Sequence, residues 1–170
     1  MKIFALFTSL LLCGGVSFAQ APATASATIN DAMGKAVGTA TLRETGSGVL
    51  IKADLMGVPP GTHAIHVHTV GKCDAPMFMT AGGHFAPGMT KHGLLAPGGP
   101  HAGDLPNLYV PADGKLSIEI LEPNVTLAPG PRSLLDADGS AIVLHATADD
   151  YMTDPAGNAG GRIACGVVTK

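Results

Sequence analysis

"GTHAIHVH", residues 61–68, ends in Ile65, His66, Val67 and His68, an alternation of β-branched apolar side chains with imidazoles. Alternation with a period of two is the mark of a β-strand that buries one face. Successive side chains on a strand point to opposite sides, so His66 and His68 share a face, roughly 6 to 7 Å apart at the usual rise per residue. One metal ion can sit between two imidazoles so placed. His63 has the opposite parity and is expected to face away, outside any site that His66 and His68 form.

Working outward, the same reading recurs. The chain has 170 residues, 23 of them glycine and 13 proline, and no tryptophan. Beyond its first 20 residues no stretch keeps a period of 3.6, and short β-branched and apolar runs are punctuated by Gly, Pro, Asp and Asn. That pattern predicts an all-β domain. Eight strands are expected, near 24–30, 36–43, 48–56, 62–68, 107–110, 116–121, 141–145 and 162–169. "NDAMGK" (30–35) and "PADGK" (111–115) have the composition of hairpin turns. Two long connections remain, about 69–106 and 146–161. The first is so long that it needs pinning, because loops of that size without regular structure are otherwise uncommon in compact domains.

Histidines fall where pinning is needed. Six of the seven form one interrupted series, His66, His68, His84, His92, His101 and His145, and Asp104 follows the fifth by three residues. Neutral imidazole is the commonest protein ligand for metals. His84, His92, His101 and Asp104, at spacings of 8, 9 and 3, offer three nitrogens and one carboxylate oxygen, a set that suits tetrahedral Zn²⁺. His145 ends the apolar run "AIVLH" and can join His66 and His68. A tetragonal copper with four nitrogens, next to such a zinc, asks seven ligand positions of six histidines, so one ring must be shared. His84, between the two groups in sequence, is the candidate.

The motifs "GTHAIHVH" (61–68), "AGGHFAPG" (81–88), "KHGLLAPGGPHAGDL" (91–105), "IVLHATADD" (142–150) and "GNAGGRIACGVV" (157–168) closely resemble those of copper/zinc superoxide dismutase, in that family's order. The resemblance implies a Greek-key β-barrel or sandwich, immunoglobulin-like, whose two long loops are functional. It implies copper on His66, His68, His84 and His145, zinc on His84, His92, His101 and Asp104, and His84 bridging as an imidazolate. It implies an enzyme that dismutes superoxide to dioxygen and hydrogen peroxide by a copper redox cycle. In that cycle His84 releases the copper on reduction and takes up the proton that goes to the product. Asp149 matches the family's carboxylate behind the ligands, expected to accept hydrogen bonds from one copper and one zinc histidine, and Arg162 matches its active-site arginine. Cys73 and Cys165 match its intrasubunit disulfide. The rival reading is a non-enzymatic periplasmic copper- and zinc-binding protein on the same fold. Loss of a copper histidine or of Arg162 would favour it, and all are present.

The first residues, "MKIFALFTSLLLCGGVSFAQ", combine Lys2, an apolar run too short to span a bilayer, and small residues at Ser17 and Ala19. They read as a signal peptide over 1–19, with the enzyme domain over 20–170 and a periplasmic or secreted destination. Leu12 before Cys13 argues against a lipidated cysteine. Cleavage leaves Cys73 and Cys165 in an oxidising compartment, where a disulfide is the default. Removing Lys2 leaves 9 basic residues against 13 acidic ones, a net charge of −4. This balance argues against nucleic acid as a partner, and no later segment is apolar enough for a membrane anchor. An anionic substrate would then need local steering, for which Lys91 beside His92 is the expectation, because the short loop "ATADDYMTDPAGNAGG" contains no lysine. Met77 and Met79 are expected as apolar plugs under the zinc loop, with thioether capture of Cu(I) as the alternative. The resemblance leaves a homodimer open, because bacterial relatives of that family are both monomeric and dimeric.

Overall fold

A computed structural model describes residues 22–170, so the expected signal peptide, 1–19, and Cys13 lie outside the described residues. Among the described residues nine strands form: β1 Thr24–Asp31, β2 Ala36–Thr45, β3 Gly48–Met56, β4 Gly61–His63, β5 Ile65–His68, β6 Leu108–Val110, β7 Lys115–Glu122, β8 Ala141–His145 and β9 Arg162–Val167. Seven make one curled antiparallel sheet in the order β5-β8-β9-β1-β2-β3-β7, and β4 with β6 makes a second, two-stranded sheet. Four pairs of neighbours, β5–β8, β9–β1, β3–β7 and β4–β6, are not consecutive in the chain, and these are the crossovers of a Greek key.

Where β1 to β3 face the core, burial alternates residue by residue, and Ile29, Leu42, Val49 and Ile51 are buried. β5 and β8 are instead buried on both faces. Ile65, Val67, Ile142 and Leu144 point into the main core, while Ala141 and Val143 join Phe78, Ala81 and Cys165 in a separate cluster on the other side. Antiparallel register pairs His66 with Val143 and His68 with Ala141, so both histidines stand on that second face, as does His145. The site is therefore built on the outside of the sheet and covered by loops.

Three features depart from the sequence reading. The expected strand 62–68 is broken at Ala64, where the chain passes from the small sheet to the large one, and nine strands result instead of eight. "PADGK" does turn the chain, with Gly114 at φ 69°, but it makes no hairpin: β6 pairs with β4 and β7 with β3. It is a corner between sheets, held by the Gly57 amide donating to the Gly114 carbonyl. A third long connection, 123–140, lacks strands altogether. Its anchor is the Glu44 carboxylate, which accepts from the Thr126 hydroxyl and the Leu127 amide, while Val125, Leu127 and Leu134 sink into the core.

The 69–107 connection is also pinned by main-chain bonds. Val67 accepts from the Phe85 amide and donates to the Gly103 carbonyl, and Gly103 donates to Phe85, so the loop completes the open edge of β5. Gly103 has no alternative here, since a Cβ would overlap the Val67 carbonyl oxygen. A disulfide joins Cys73 to Cys165 on β9, with Cα atoms 5.6 Å apart. Among the described residues no helix is long and apolar enough to cross a membrane.

Candidate metal centre

His66 and His68 have ring centroids 6.5 Å apart on the covered face of β5, and His145 at the end of β8 brings its ring 4.8 Å from His66. His84 arrives from the loop that hydrogen-bonds along β5 and sits 4.0 Å from His66 by ring centroid. His66, His68, His84 and His145 each offer a donor atom within 4.8 Å of the others. Four nitrogens here, His66 Nδ1 and the Nε2 atoms of His68, His84 and His145, are buried and have no hydrogen-bond partner. Burying an unpaired polar atom is costly. Four of them in one group is the signature of a site shaped for a cation.

The remaining nitrogen of each ring is committed elsewhere, which fixes the tautomer that leaves the lone pair facing inward. His66 Nε2 donates to Asp149 Oδ2 at 2.8 Å, and His68 Nδ1 donates to the Gly82 carbonyl at 2.9 Å. His145 Nδ1 faces the Gly160 carbonyl. His84 Nδ1 points the opposite way from its Nε2, to Asp104 Oδ1 at 2.8 Å. Around that oxygen lie His92 Nδ1 at 3.1 Å and His101 Nδ1 at 3.2 Å. Three ring nitrogens thus gather around one carboxylate oxygen, and His84 faces both groups. His66 also comes within reach of this second group. His66 Nε2 is spent on Asp149 and its Nδ1 faces the first group. The expected fourth donor, His101, lies 3.2 Å from Asp104 Oδ1 but outside the set of atoms that are all within 4.8 Å of one another.

Burial pushes three imidazoles of the first group down: His68 to about 2, His145 to about 3 and His84 to about 4. They stay neutral, and therefore able to ligate, through the physiological range. Burial pulls the Asp104 carboxyl up, but hydrogen bonds from His84 and the Gly93 amide, with the neighbouring imidazoles, win and hold it below the usual carboxylate range. Asp149 is likewise raised by burial and brought below its ordinary value by hydrogen bonds from His66, His92 and the Tyr151 amide.

Asp149 joins the two groups from behind: Oδ2 takes His66 Nε2, and Oδ1 takes His92 Nε2 at 3.0 Å. Its neighbour Asp150 is the one spent on a turn, accepting from the Met152 and Thr153 amides. Asn107 escaped notice in the sequence. Its side chain accepts from the Asp149 amide and donates to the Asp149 carbonyl, both at 2.8 Å. Asp154, also missed, accepts from the His92 amide. Neither lies in a motif whose composition signals a role. His63 does face away: Nδ1 lies 2.9 Å from the His145 carbonyl and Nε2 2.8 Å from that of Pro59.

A cavity of about 600 Å³ opens over the first group, lined among others by His68, His84, His145 and Arg162. The Arg162 guanidinium donates to the carbonyls of Phe78 and Gly82, both at 2.7 Å, which fixes it on the cavity wall. It is the only cationic side chain among the cavity's lining residues. Lys91 is exposed and does not line this cavity, so the expected steering position is not on its wall. Met77 and Met79 are not plugs either, since both are exposed at the cavity.

A Greek-key β fold whose covered outer face gathers two donor groups through one common imidazole defines a dinuclear metalloprotein. The sequence model of copper/zinc superoxide dismutase matches residues 36–168. The chain belongs to the copper/zinc superoxide dismutase family. It is 47% identical over 169 residues to copper-zinc superoxide dismutase 2 of Aquifex aeolicus, across 98% of each chain. It is also 47% identical over 148 residues to the copper-zinc superoxide dismutase of Caulobacter vibrioides, across 85% of each. Among solved structures, a double mutant of a SOD-like protein from Bacillus subtilis aligns with a TM-score of 0.82 at 41% identity, covering 85% of this chain and 97% of the other. The Cu/Zn superoxide dismutase from Brucella abortus gives 0.70 at 32% identity, covering 85% and 99%.

Proposed function

We propose that the chain dismutes superoxide, with copper held by His66, His68, His84 and His145 and zinc by His84, His92, His101 and Asp104. The observation that carries this reading is the orientation of His84, with Nδ1 in the three-nitrogen, one-carboxylate group and Nε2 among the four unpartnered nitrogens. The donor chemistry suits both ions: all-nitrogen coordination serves copper in either oxidation state, and N₃O is a common zinc set. Copper, when bound, supplies the one-electron redox chemistry that zinc lacks.

The protein's own part is positioning, charge and protons. Two superoxide anions and two protons give one dioxygen and one hydrogen peroxide. Arg162 draws the anion into the cavity and orients it by two-pronged donation. His84 Nε2, which faces the cavity side with its lone pair free of any protein partner, is the nitrogen placed to take up a proton and pass it on. Asp149 fixes the rings of His66 and His92, and so keeps the two donor groups in register.

A signal peptide over 1–19 and delivery to the periplasm or the exterior complete the reading, and the Cys73–Cys165 bond supports it, because such bonds persist in oxidising compartments. Metal analysis and a superoxide assay on disulfide-intact protein test the whole. One copper and one zinc per chain with rapid dismutation is the expected result; fully loaded protein that leaves superoxide untouched would refute it.

A further inference from the structure

The geometry points to Met77 and Met79 as an entry site for Cu(I) at the mouth of the cavity, an assignment that rests on the copper ligands proposed above. The two thioethers flank Phe78, which is buried against Ala81, Val143 and the disulfide. Its carbonyl is also held by Arg162. With Phe78 anchored inward in a left-handed conformation, its neighbours stay out: Met77 is 67% and Met79 64% exposed. Neither belongs to the buried cluster beneath them, so their packing contribution is small. Both nevertheless line the cavity into which His68, His84 and His145 open.

The rest of that lining decides what the thioethers are good for. It contains no carboxylate, and its single charge, Arg162, repels cations. A hard, strongly hydrated cation finds nothing to hold it at this mouth. Soft, neutral sulfur binds Cu(I) and leaves it exchangeable, so the ion can pass from thioether to imidazole down the cavity. The transfer is ligand exchange at constant oxidation state: copper–sulfur bonds break as copper–nitrogen bonds form, and no electron or proton donor is required.

The test starts from metal-free, disulfide-intact protein and a limiting amount of the Cu(I)–bicinchoninate complex under anaerobic conditions. Uptake is read from loss of the coloured complex. Leucine keeps the apolar area at these exposed positions, so the Met77→Leu/Met79→Leu variant should fold, and circular dichroism with thermal melting checks that it does. Expected is Cu(I) uptake slowed by about tenfold while Cu(II) uptake from aqueous salt is unchanged, as soft-donor selectivity requires. In the unaltered protein, Ag(I) as a closed-shell stand-in should shift the Met77 and Met79 methyl NMR signals. A Cu(I) rate equal to or faster than that of the unaltered protein, equal slowing for both oxidation states, or methyl signals indifferent to Ag(I) would each overturn the assignment. Failure of the underlying ligand reading looks different, because the unaltered protein would then take up copper in neither oxidation state.

Discussion

Gly157 lies so close to Asp149 that a Cβ on the glycine would overlap the carboxylate oxygen Oδ1, the atom that receives His92. The glycine also has φ 63°, a conformation that L side chains rarely adopt. Its lack of a side chain therefore lets one carboxylate reach both donor groups. Gly157→Ala should displace Asp149, free the rings of His66 and His92, and weaken zinc binding by about 10- to 100-fold, the usual effect of losing a hydrogen-bond partner behind a metal ligand. Competition with a zinc chelator measures this, and Asp149→Ala should match it in size. Tight zinc retention in both variants would mean that the ligand rings are held by packing alone.

The disulfide bears on both stability and the cavity. Cys73 and Cys165 are 92 residues apart, and a cross-link of that span stabilises a fold by about 4 to 5 kcal/mol in the chain-entropy model. Between Cys73 and His84 run Phe78 and Gly82, whose carbonyls hold Arg162. Cys73→Ser/Cys165→Ser should lower the unfolding free energy by a few kcal/mol and should also reduce turnover at full metal occupancy. Denaturant titration and a superoxide assay on the same preparation separate the two effects.

How much of this was legible in the chain is best seen at His66 and His68. Strand parity alone put them on one face and turned His63 away, and the shared role of His84 followed from having fewer rings than ligand positions. Parity is silent about which face meets solvent, however. It could not say that β5 and β8 are buried on both sides, nor that Met77 and Met79 would stay exposed. The break at Ala64 and the missing hairpin at "PADGK" were hidden for a related reason. Local composition specifies that a chain turns, while the choice of partner strand is made by long-range packing. Asn107 and Asp154 act through main-chain groups 42 and 62 residues away, a distance no motif spans.

Acid should unfold the metal-free protein early. His68, His84 and His145 have folded values of about 2, 4 and 3, against about 6.5 in an unfolded chain. Between those values the unfolded state binds more protons, so stability rises with pH. The contribution of these rings is complete above about pH 6.5 and falls steadily below it. Asp104 and Asp149, held below the ordinary carboxylate value, add a loss of the same sign at still lower pH. Urea midpoints of metal-free protein should therefore drop between pH 7.5 and pH 5. A flat profile over that interval would show that the rings already accept protons in the folded state.

Arg162 carries the last prediction, because its two tethers separate charge from orientation. Its donors to Phe78 and Gly82 hold the guanidinium plane against the cavity wall, and no other cation lines that cavity. Arg162→Ala removes both charge and aim and should lower kcat/KM by about 10- to 1,000-fold, the range spanned by electrostatic steering and by loss of one preorganised donor. Copper and zinc content should be unchanged, since Arg162 contributes to neither donor group. Arg162→Lys keeps the charge but has no planar fork to satisfy two carbonyls, so it should recover only part of the rate while keeping the salt dependence of the unaltered protein. Lys91→Ala, away from the cavity, should change neither rate nor salt dependence. Should the lysine variant recover everything, long-range attraction would be the whole of the arginine's role and its fixed orientation would be incidental.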